Sequence, residues 1–188
     1  NNTLILGIMA DNTKIQWTDH SVNFWTGCLK VSTGCKFCYM YRDMDRYKKD
    51  PSLINKVSDK TIMNTLKKAQ PGDKIFTCSW SDFFIEEADE FRPWAWDIIR
   101  QHPHLNWQIL TKRPERILNH LPEDWGTGWP NVWLGISAEN QQTFSMRMLY
   151  FSVVPSHIRF LSLEPLLGEI NFWPWANLGH EMRSGAPG

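Results

Sequence analysis

The sequence predicts an α/β fold, an incomplete parallel βα barrel of about five to six strands. Four apolar segments rich in β-forming residues begin about 25 to 32 residues apart, the length of one strand and its crossover helix. They are residues 74–80, 106–111, 131–137 and 158–163. Helix-forming stretches lie between them, and this alternation is typical of a parallel sheet with helices packed outside it.

The elements follow one another along the chain. A first strand is predicted at 21–25, before a cysteine-rich loop, and a helix at 59–69, where apolar residues recur at helical spacing before a Pro-Gly stop. Three more helices are predicted after the strands that begin at 74, 106 and 131. They span 90–101, 114–121, which has proline at an early helical position, and 141–149.

Composition limits the class of protein. The 188 residues are 42% hydrophobic, enough for the core of one domain at 11–170, with an N-terminal extension at 1–10 and a truncated or disordered tail at 171–188. Twenty basic and 20 acidic residues give zero net charge, so no global field attracts nucleic acid or membranes, although a local basic groove remains open. No apolar run approaches the roughly 18 residues of a spanning helix. With clustered cysteines and no export signal, we expect a cytoplasmic protein.

Polar residues follow the end of each predicted strand. They are Ser79, Ser81 and Asp82, then Thr111, Lys112 and Arg113, then Ser137 and Glu139, then Ser162 and Glu164. The carboxyl ends of parallel strands meet at one edge, where ligands of α/β folds bind. We therefore expect a binding site at this edge, the alternative being that loops are simply polar.

Three of the four cysteines lie within eleven residues. Cys28, Cys35 and Cys38 have the spacing C-x6-C-x2-C, and Gly27 and Gly34 allow the tight backbone that wraps a metal. Thiolates hold iron–sulfur clusters. Three thiolates on a [4Fe-4S] cluster leave one iron open, whereas structural metal sites are normally closed.

Three alternatives to a cluster remain open at this point. A structural zinc site would need a fourth ligand, which Cys78 or His20 could supply. Cys35 and Cys38 could form a thioredoxin-like redox pair, although this leaves Cys28 without a role. The three could also be ordinary buried cysteines.

A cysteine triad that ends Cys-x-aromatic-Cys and is followed by βα units resembles the radical S-adenosylmethionine (SAM) superfamily, where the first gap is commonly x3 rather than x6. More closely, the chain resembles a phage and bacterial three-Cys-motif protein family of unknown function. The matching stretches are 13–19, 26–39, 79–84, 108–116, 131–139 and 159–168. That family usually continues with another strand and two further motifs, which 171–188 does not show.

The resemblance implies a cofactor pair. Cys28, Cys35 and Cys38 would hold a [4Fe-4S] cluster, and SAM would chelate the open iron through its amino and carboxylate groups. Reduction of the cluster would cleave SAM to methionine and a 5′-deoxyadenosyl radical that abstracts hydrogen from an unknown substrate.

The resemblance also assigns roles to the polar strand ends. Asp82 and Ser79 are expected to accept hydrogen bonds from the SAM ammonium, and Lys112 or Arg113 to meet its carboxylate. Glu164 is expected to contact the ribose or the substrate. Further cofactor contacts are expected from Ser81 and Ser137, and shielding or stacking from Phe37 and Tyr39.

A rival function is a non-enzymatic metal-binding protein of phage origin, holding zinc or an inert cluster. It would act as a protein partner or as a nucleic-acid adaptor, a role that zero net charge does not support. A degenerate remnant of a radical SAM enzyme is a third reading.

Overall fold

The computed structural model describes residues 15–173 and has a mixed α/β architecture. Its strands are β1 (His20–Val22), β2 (Trp25–Thr26), β3 (Asn55–Lys56), β4 (Lys74–Thr77), β5 (Asn106–Thr111), β6 (Val132–Ser137) and β7 (Ile158–Ser162). Strands β1, β4, β5, β6 and β7 form one sheet in that order, and all four pairings are parallel. Strands β2 and β3 form a separate antiparallel pair. The predicted α/β class and the parallel sheet are confirmed.

Four α-helices accompany the strands. They are α1 (Tyr39–Arg46), α2 (Asp59–Leu66), α3 (Arg92–Gln101) and α4 (Gln141–Phe151). Helix α2 begins where the Ser58 hydroxyl accepts a hydrogen bond from the Thr61 amide, and α4 begins with a reciprocal capping box between Asn140 and Thr143. None of the helices within 15–173 has the length and apolar character needed to cross a membrane.

One face of the sheet forms the core. Ile75, Trp107 and Ile109 alternate with residues of the opposite face and are fully buried, in one apolar cluster with side chains of α2, α3 and α4. On the opposite face, the Trp17 ring packs 4.7 Å from the Phe76 ring. Several of the tryptophans thus fill the core, and the opposite face is left to build a cavity.

Several predicted bounds are wrong, among them the end of the helix predicted at 59–69, which lies at Leu66. The strand predicted at 21–25 ends at Val22, because the chain then leaves the sheet to pair with β3. The strand predicted at 74–80 ends at Thr77, because Cys78 has a φ of 54° and turns the chain sharply. The helix predicted at 114–121 is replaced by two short 3₁₀ segments, and the chain is extended at Leu121, as favoured for the residue before a proline.

Helix α1, which directly follows the cysteine loop, was not predicted. The expected extension at 1–10 and most of the expected tail at 171–188 lie outside the described residues.

Candidate functional site

A cavity of about 450 Å³ opens at the carboxyl ends of the parallel strands. Nine side chains predicted as site residues line it: Cys28, Cys35, Cys38, Ser79, Ser81, Asp82, Lys112, Ser137 and Glu164. Their segments are far apart in sequence and meet because strands β4 to β7 run in the same direction. The volume lies within the usual range for small-molecule sites.

The three-cysteine loop enters the cavity through a turn that needs glycine. Gly27 has a φ of 95°, and a Cβ there would overlap the Leu53 carbonyl. The Cys28 amide then donates to the Pro51 carbonyl at 2.8 Å. Cys35 lies in a 3₁₀ segment, and Cys38 is the N-cap residue of α1. Two secondary-structure elements and one turn therefore place the three thiols on the same cavity.

Tyr41 of α1 lies beside all three thiols. Its hydroxyl donates to the Cys28 carbonyl at 2.5 Å. Burial raises the pKa of Tyr41, and the thiols of Cys28, Cys35 and Cys38 raise it further. Burial, and next the Asp82 carboxylate, also raise the pKa of the Cys28 thiol to about 12, although Arg113 opposes this. A metal that binds Cys28 must therefore release a proton.

The three loop thiols are the right type of ligand for an iron–sulfur cluster, but their sulfur atoms are not arranged to bind one in this structure. All four cysteines are free thiols, and three of them share the loop. Throughout residues 15–173, no three His, Cys, Asp or Glu side chains stand close enough together to hold a metal ion. The thiol side chains would therefore have to turn inward on binding.

The fourth ligand of the alternative zinc site is restricted to Cys78. His20 does not line the cavity and its Nε2 lies 3.1 Å from the Asp73 carboxylate, so the proposed role for His20 is not supported. Cys78 does line the cavity and is buried. The backbone amides of Phe24 and Trp25 hydrogen-bond its thiol, whose pKa burial raises to about 12.

Asp82 does not fit its expected role as the acceptor for an ammonium ion. Its Oδ1 accepts from the Phe84 amide at 2.9 Å and the Thr111 hydroxyl at 2.6 Å. Its Oδ2 accepts from the Lys112 amide at 2.9 Å and lies 3.1 Å from Arg113 Nη1. A carboxylate offers about four lone-pair sites, and these donors use all of them. Asp82 is a buried node that positions Arg113 beside the cysteine loop.

The two serines after β4 also serve the scaffold. The Ser79 hydroxyl accepts from Ser21 at 2.9 Å and from Asn23 at 3.2 Å, and the Ser81 hydroxyl donates to the Gly27 carbonyl at 2.5 Å. Ser81 therefore helps to hold the turn that starts the cysteine loop. Direct contact of these two hydroxyls with a ligand would compete with these bonds.

Glu164 and Lys112 keep binding capacity toward the cavity. No hydrogen bond or ion pair within the described part of the chain engages the exposed Glu164 carboxylate. The Lys112 ammonium lies 3.2 Å from Glu139 Oε1, is partly exposed, and has further donors to offer. Ser137, the last residue of β6, adds a hydroxyl between them.

A buried carboxylate, Glu139, lies behind the loop and is not among the cofactor contacts that the sequence predicts. Glu139 is fully buried; it accepts from the Ser32 hydroxyl and from Lys112, and its Oε2 lies 2.9 Å from Arg147 Nη1. Burial alone would raise its pKa, but the hydrogen bond from Ser32 and the charges of Lys112 and Arg147 lower the pKa to about 2. Arg147, the one charged residue of α4, is the sequence signal for this network.

Gly34 is held against this carboxylate, and its substitution provides a test. A Cβ at Gly34 would overlap the Glu139 side chain, so Gly34→Ala is expected to lower the free energy of unfolding by about 1–3 kcal/mol. Gly168→Ala is the control, because a Cβ there meets only Asn140 Cβ at an ordinary 3.6 Å. Urea unfolding measures both. Equal stability of the two variants would contradict the close contact.

Comparison with known proteins gives a match to a family model. A family model described as "Protein of unknown function (DUF5131)" matches residues 12–182, nearly the whole chain. No curated protein and no solved structure matches. The match spans the cysteine loop, all strands of the sheet and every residue of the cavity.

Proposed function

Because the chain belongs to the family described as "Protein of unknown function (DUF5131)", whose description names no activity, we propose its function from the cavity. It is a radical SAM-like iron–sulfur protein that holds a [4Fe-4S] cluster on Cys28, Cys35 and Cys38 and binds SAM beside it. The parallel sheet would be the partial barrel of such proteins. One observation carries the proposal: the three loop thiols and the polar strand ends line a single cavity.

The cofactor pair would supply the hard chemistry, since a cluster with one open iron can take up SAM and deliver the electron that cleaves it. The protein's part is to bind, orient and exclude water. Apolar and aromatic side chains cover much of the cavity wall, among them Trp17, Met40 and Phe76.

The free polar groups suit the amino-acid end of SAM. The Lys112 ammonium can donate to a ligand carboxylate while it keeps its bond to Glu139. The Glu164 carboxylate can accept from a ligand ammonium, the role that Asp82 cannot fill. Ser137 offers a hydroxyl to either group. Tyr39, whose hydroxyl donates to the Ser79 carbonyl at 2.7 Å, presents a ring held in place for stacking.

A closed zinc site in a non-enzymatic partner or adaptor protein is the second candidate. Cys78 favours it, because this fourth thiol lines the same cavity as the triad. The two candidates differ in one residue: the zinc site needs Cys78, whereas the open cluster does not.

Anaerobic reconstitution tests the proposal. The protein should bind about four irons per chain with the absorbance of a thiolate-held cluster, and SAM should change the electron paramagnetic resonance spectrum of the reduced protein. Glu164→Gln should weaken SAM binding about tenfold, the effect of losing a charged hydrogen bond of about 1.4 kcal/mol. Glu169→Gln is the matched control, because Glu169 is exposed on the same segment and does not line the cavity. Stoichiometric zinc without iron in anaerobically purified protein would overturn the proposal.

A further inference from the structure

The segment 28–56, which follows β2 and includes β3, forms one compact unit beside the cavity. Its ends are joined where β2 pairs with β3, and the Cys28 amide bonds to the Pro51 carbonyl. Within the segment, the Lys30 ammonium lies 4.5 Å from the Tyr41 ring centre. Cys28, Tyr39 and Tyr41 line the cavity, so the segment is also one wall of the site.

This segment is strongly basic within a neutral protein. It contains seven Lys or Arg and three Asp or Glu, a net charge of +4. The whole chain has 20 of each, so the remaining residues carry −4. All seven basic side chains are exposed: Lys30, Lys36, Arg42, Arg46, Lys48, Lys49 and Lys56. The zero net charge of the chain therefore hides a local positive surface next to the cavity.

Two aromatic rings stand out from the same segment. Phe37 is 63% exposed and lines the cavity, and Tyr47 is 60% exposed at the end of α1. Large exposed rings among cations are costly to leave in water and are the features on which unpaired bases stack. Lys36 directly precedes Phe37, and Lys48 and Lys49 directly follow Tyr47.

We propose that the 28–56 segment is a docking surface for single-stranded nucleic acid, with one base stacked on Phe37 at the mouth of the cavity. The basic side chains complement the charge of a phosphate backbone. The exposed rings favour a single strand, because a duplex keeps its bases paired and stacked on each other. An acidic polypeptide would pair with the basic side chains but would not stack on the Phe37 and Tyr47 rings, so it fits this surface less well. The inference goes beyond the proposed function, because it does not require iron or SAM.

Fluorescence anisotropy with a labelled single-stranded oligonucleotide tests the charges, using the full chain as purified without iron or SAM. Lys48→Gln/Lys49→Gln should weaken binding and reduce the slope of log K against log salt by about 1.4, at about 0.7 per lost phosphate contact. The control is Lys67→Gln/Lys68→Gln, an exposed lysine pair that follows α2 and precedes β4, outside the 28–56 segment. An equal effect of both pairs would overturn the proposed surface.

A second variant tests the stacking. Phe37→Ala should weaken oligonucleotide binding about tenfold to a hundredfold, as expected for one lost base–aromatic stack. Tyr150→Ala is its control, because Tyr150 is 50% exposed on α4. Duplex of the same sequence and poly-glutamate are the competitors, and both should displace the oligonucleotide poorly. Equal competition by either one, or no effect of Phe37→Ala, would overturn recognition of a single strand. Because no cofactor is present, failure here leaves the iron test unaffected.

Discussion

Glu139→Gln is expected to lower the free energy of unfolding by about 3–5 kcal/mol, the range found when one partner of a buried ion pair is removed. Glu139 and Arg147 are both at most 2% exposed, and Arg147 Nη1 lies 2.9 Å from the carboxylate. Without the negative charge, the buried guanidinium keeps neutral acceptors such as the Ser137 carbonyl and loses the one ion-pair partner that it has within residues 15–173. Urea unfolding followed by circular dichroism measures the loss.

The controls separate burial from charge. Asp124→Asn removes an exposed partner of Arg100 and should cost less than about 1 kcal/mol. If Glu139→Gln does not fold, Glu139→Gln/Arg147→Met decides the matter, because removal of both charges should recover part of the stability. A double variant no more stable than the single one, or a single variant as stable as Asp124→Asn, would contradict the prediction.

The same pair predicts a dependence on pH. The pKa of Glu139 is lowered from its ordinary 4.5 to about 2, so its ionised form stabilises the fold at pH values above about 4.5. This contribution is lost as pH falls toward 2. The difference in unfolding free energy between the natural protein and Glu139→Gln should therefore shrink across that interval. A difference that stays constant there would contradict the assignment.

The other large effect is on iron. Cys28→Ala, Cys35→Ala and Cys38→Ala should each reduce the iron bound after anaerobic reconstitution from about four atoms per chain to almost none, because two thiolates do not retain such a cluster. Cys78→Ala should keep its iron. Cys35 is buried, so its replacement carries the greatest risk of misfolding. Cys38 is partly exposed, and the iron content of Cys38→Ala is therefore the decisive measurement.

Circular dichroism of each variant distinguishes lost ligands from a lost fold. If well-folded Cys38→Ala protein still bound about four irons per chain, the proposal that Cys28, Cys35 and Cys38 hold the cluster would be wrong. Loss of all metal in Cys78→Ala would favour the closed four-thiol site instead.

The sheet could be predicted because its signal is local. Residues 106–111 and 132–137 form strands that are buried on both faces, and residues 132–136 form the short run of hydrophobic residues and glycine that is typical of such parallel strands. Their direction then placed the polar residues after each strand at one edge. This topology explains why nine predicted residues line one cavity. It does not determine which of them bind a ligand and which support the fold.

The missed features depend on contacts between distant segments. Helix α1 is only eight residues long and buries only Met40 and Met44, so few apolar positions mark it in the sequence. The sequence around Asp82 does not indicate that its carboxylate will bind the Thr111 hydroxyl, the Lys112 amide and the Arg113 guanidinium, which lie about 30 residues further along the chain. The net charge of the whole chain is zero and does not show where the charges lie, so it gives no indication of the basic surface.

The pairing of β2 with β3 has a consequence for how this protein can change. The chain leaves this separate pair after Thr26 and returns to it at Asn55, and these two residues are partners. Whatever lies between begins and ends at the same point, and the cost of closing such an excursion grows only slowly with its length. The stretch 27–54, which this pair encloses, is therefore a cassette: where its residues contact no other segment, a change in its length should leave the register of the five parallel strands unaltered. An engineer who wishes to give this scaffold a different metal loop or a different docking surface has both on one interchangeable piece.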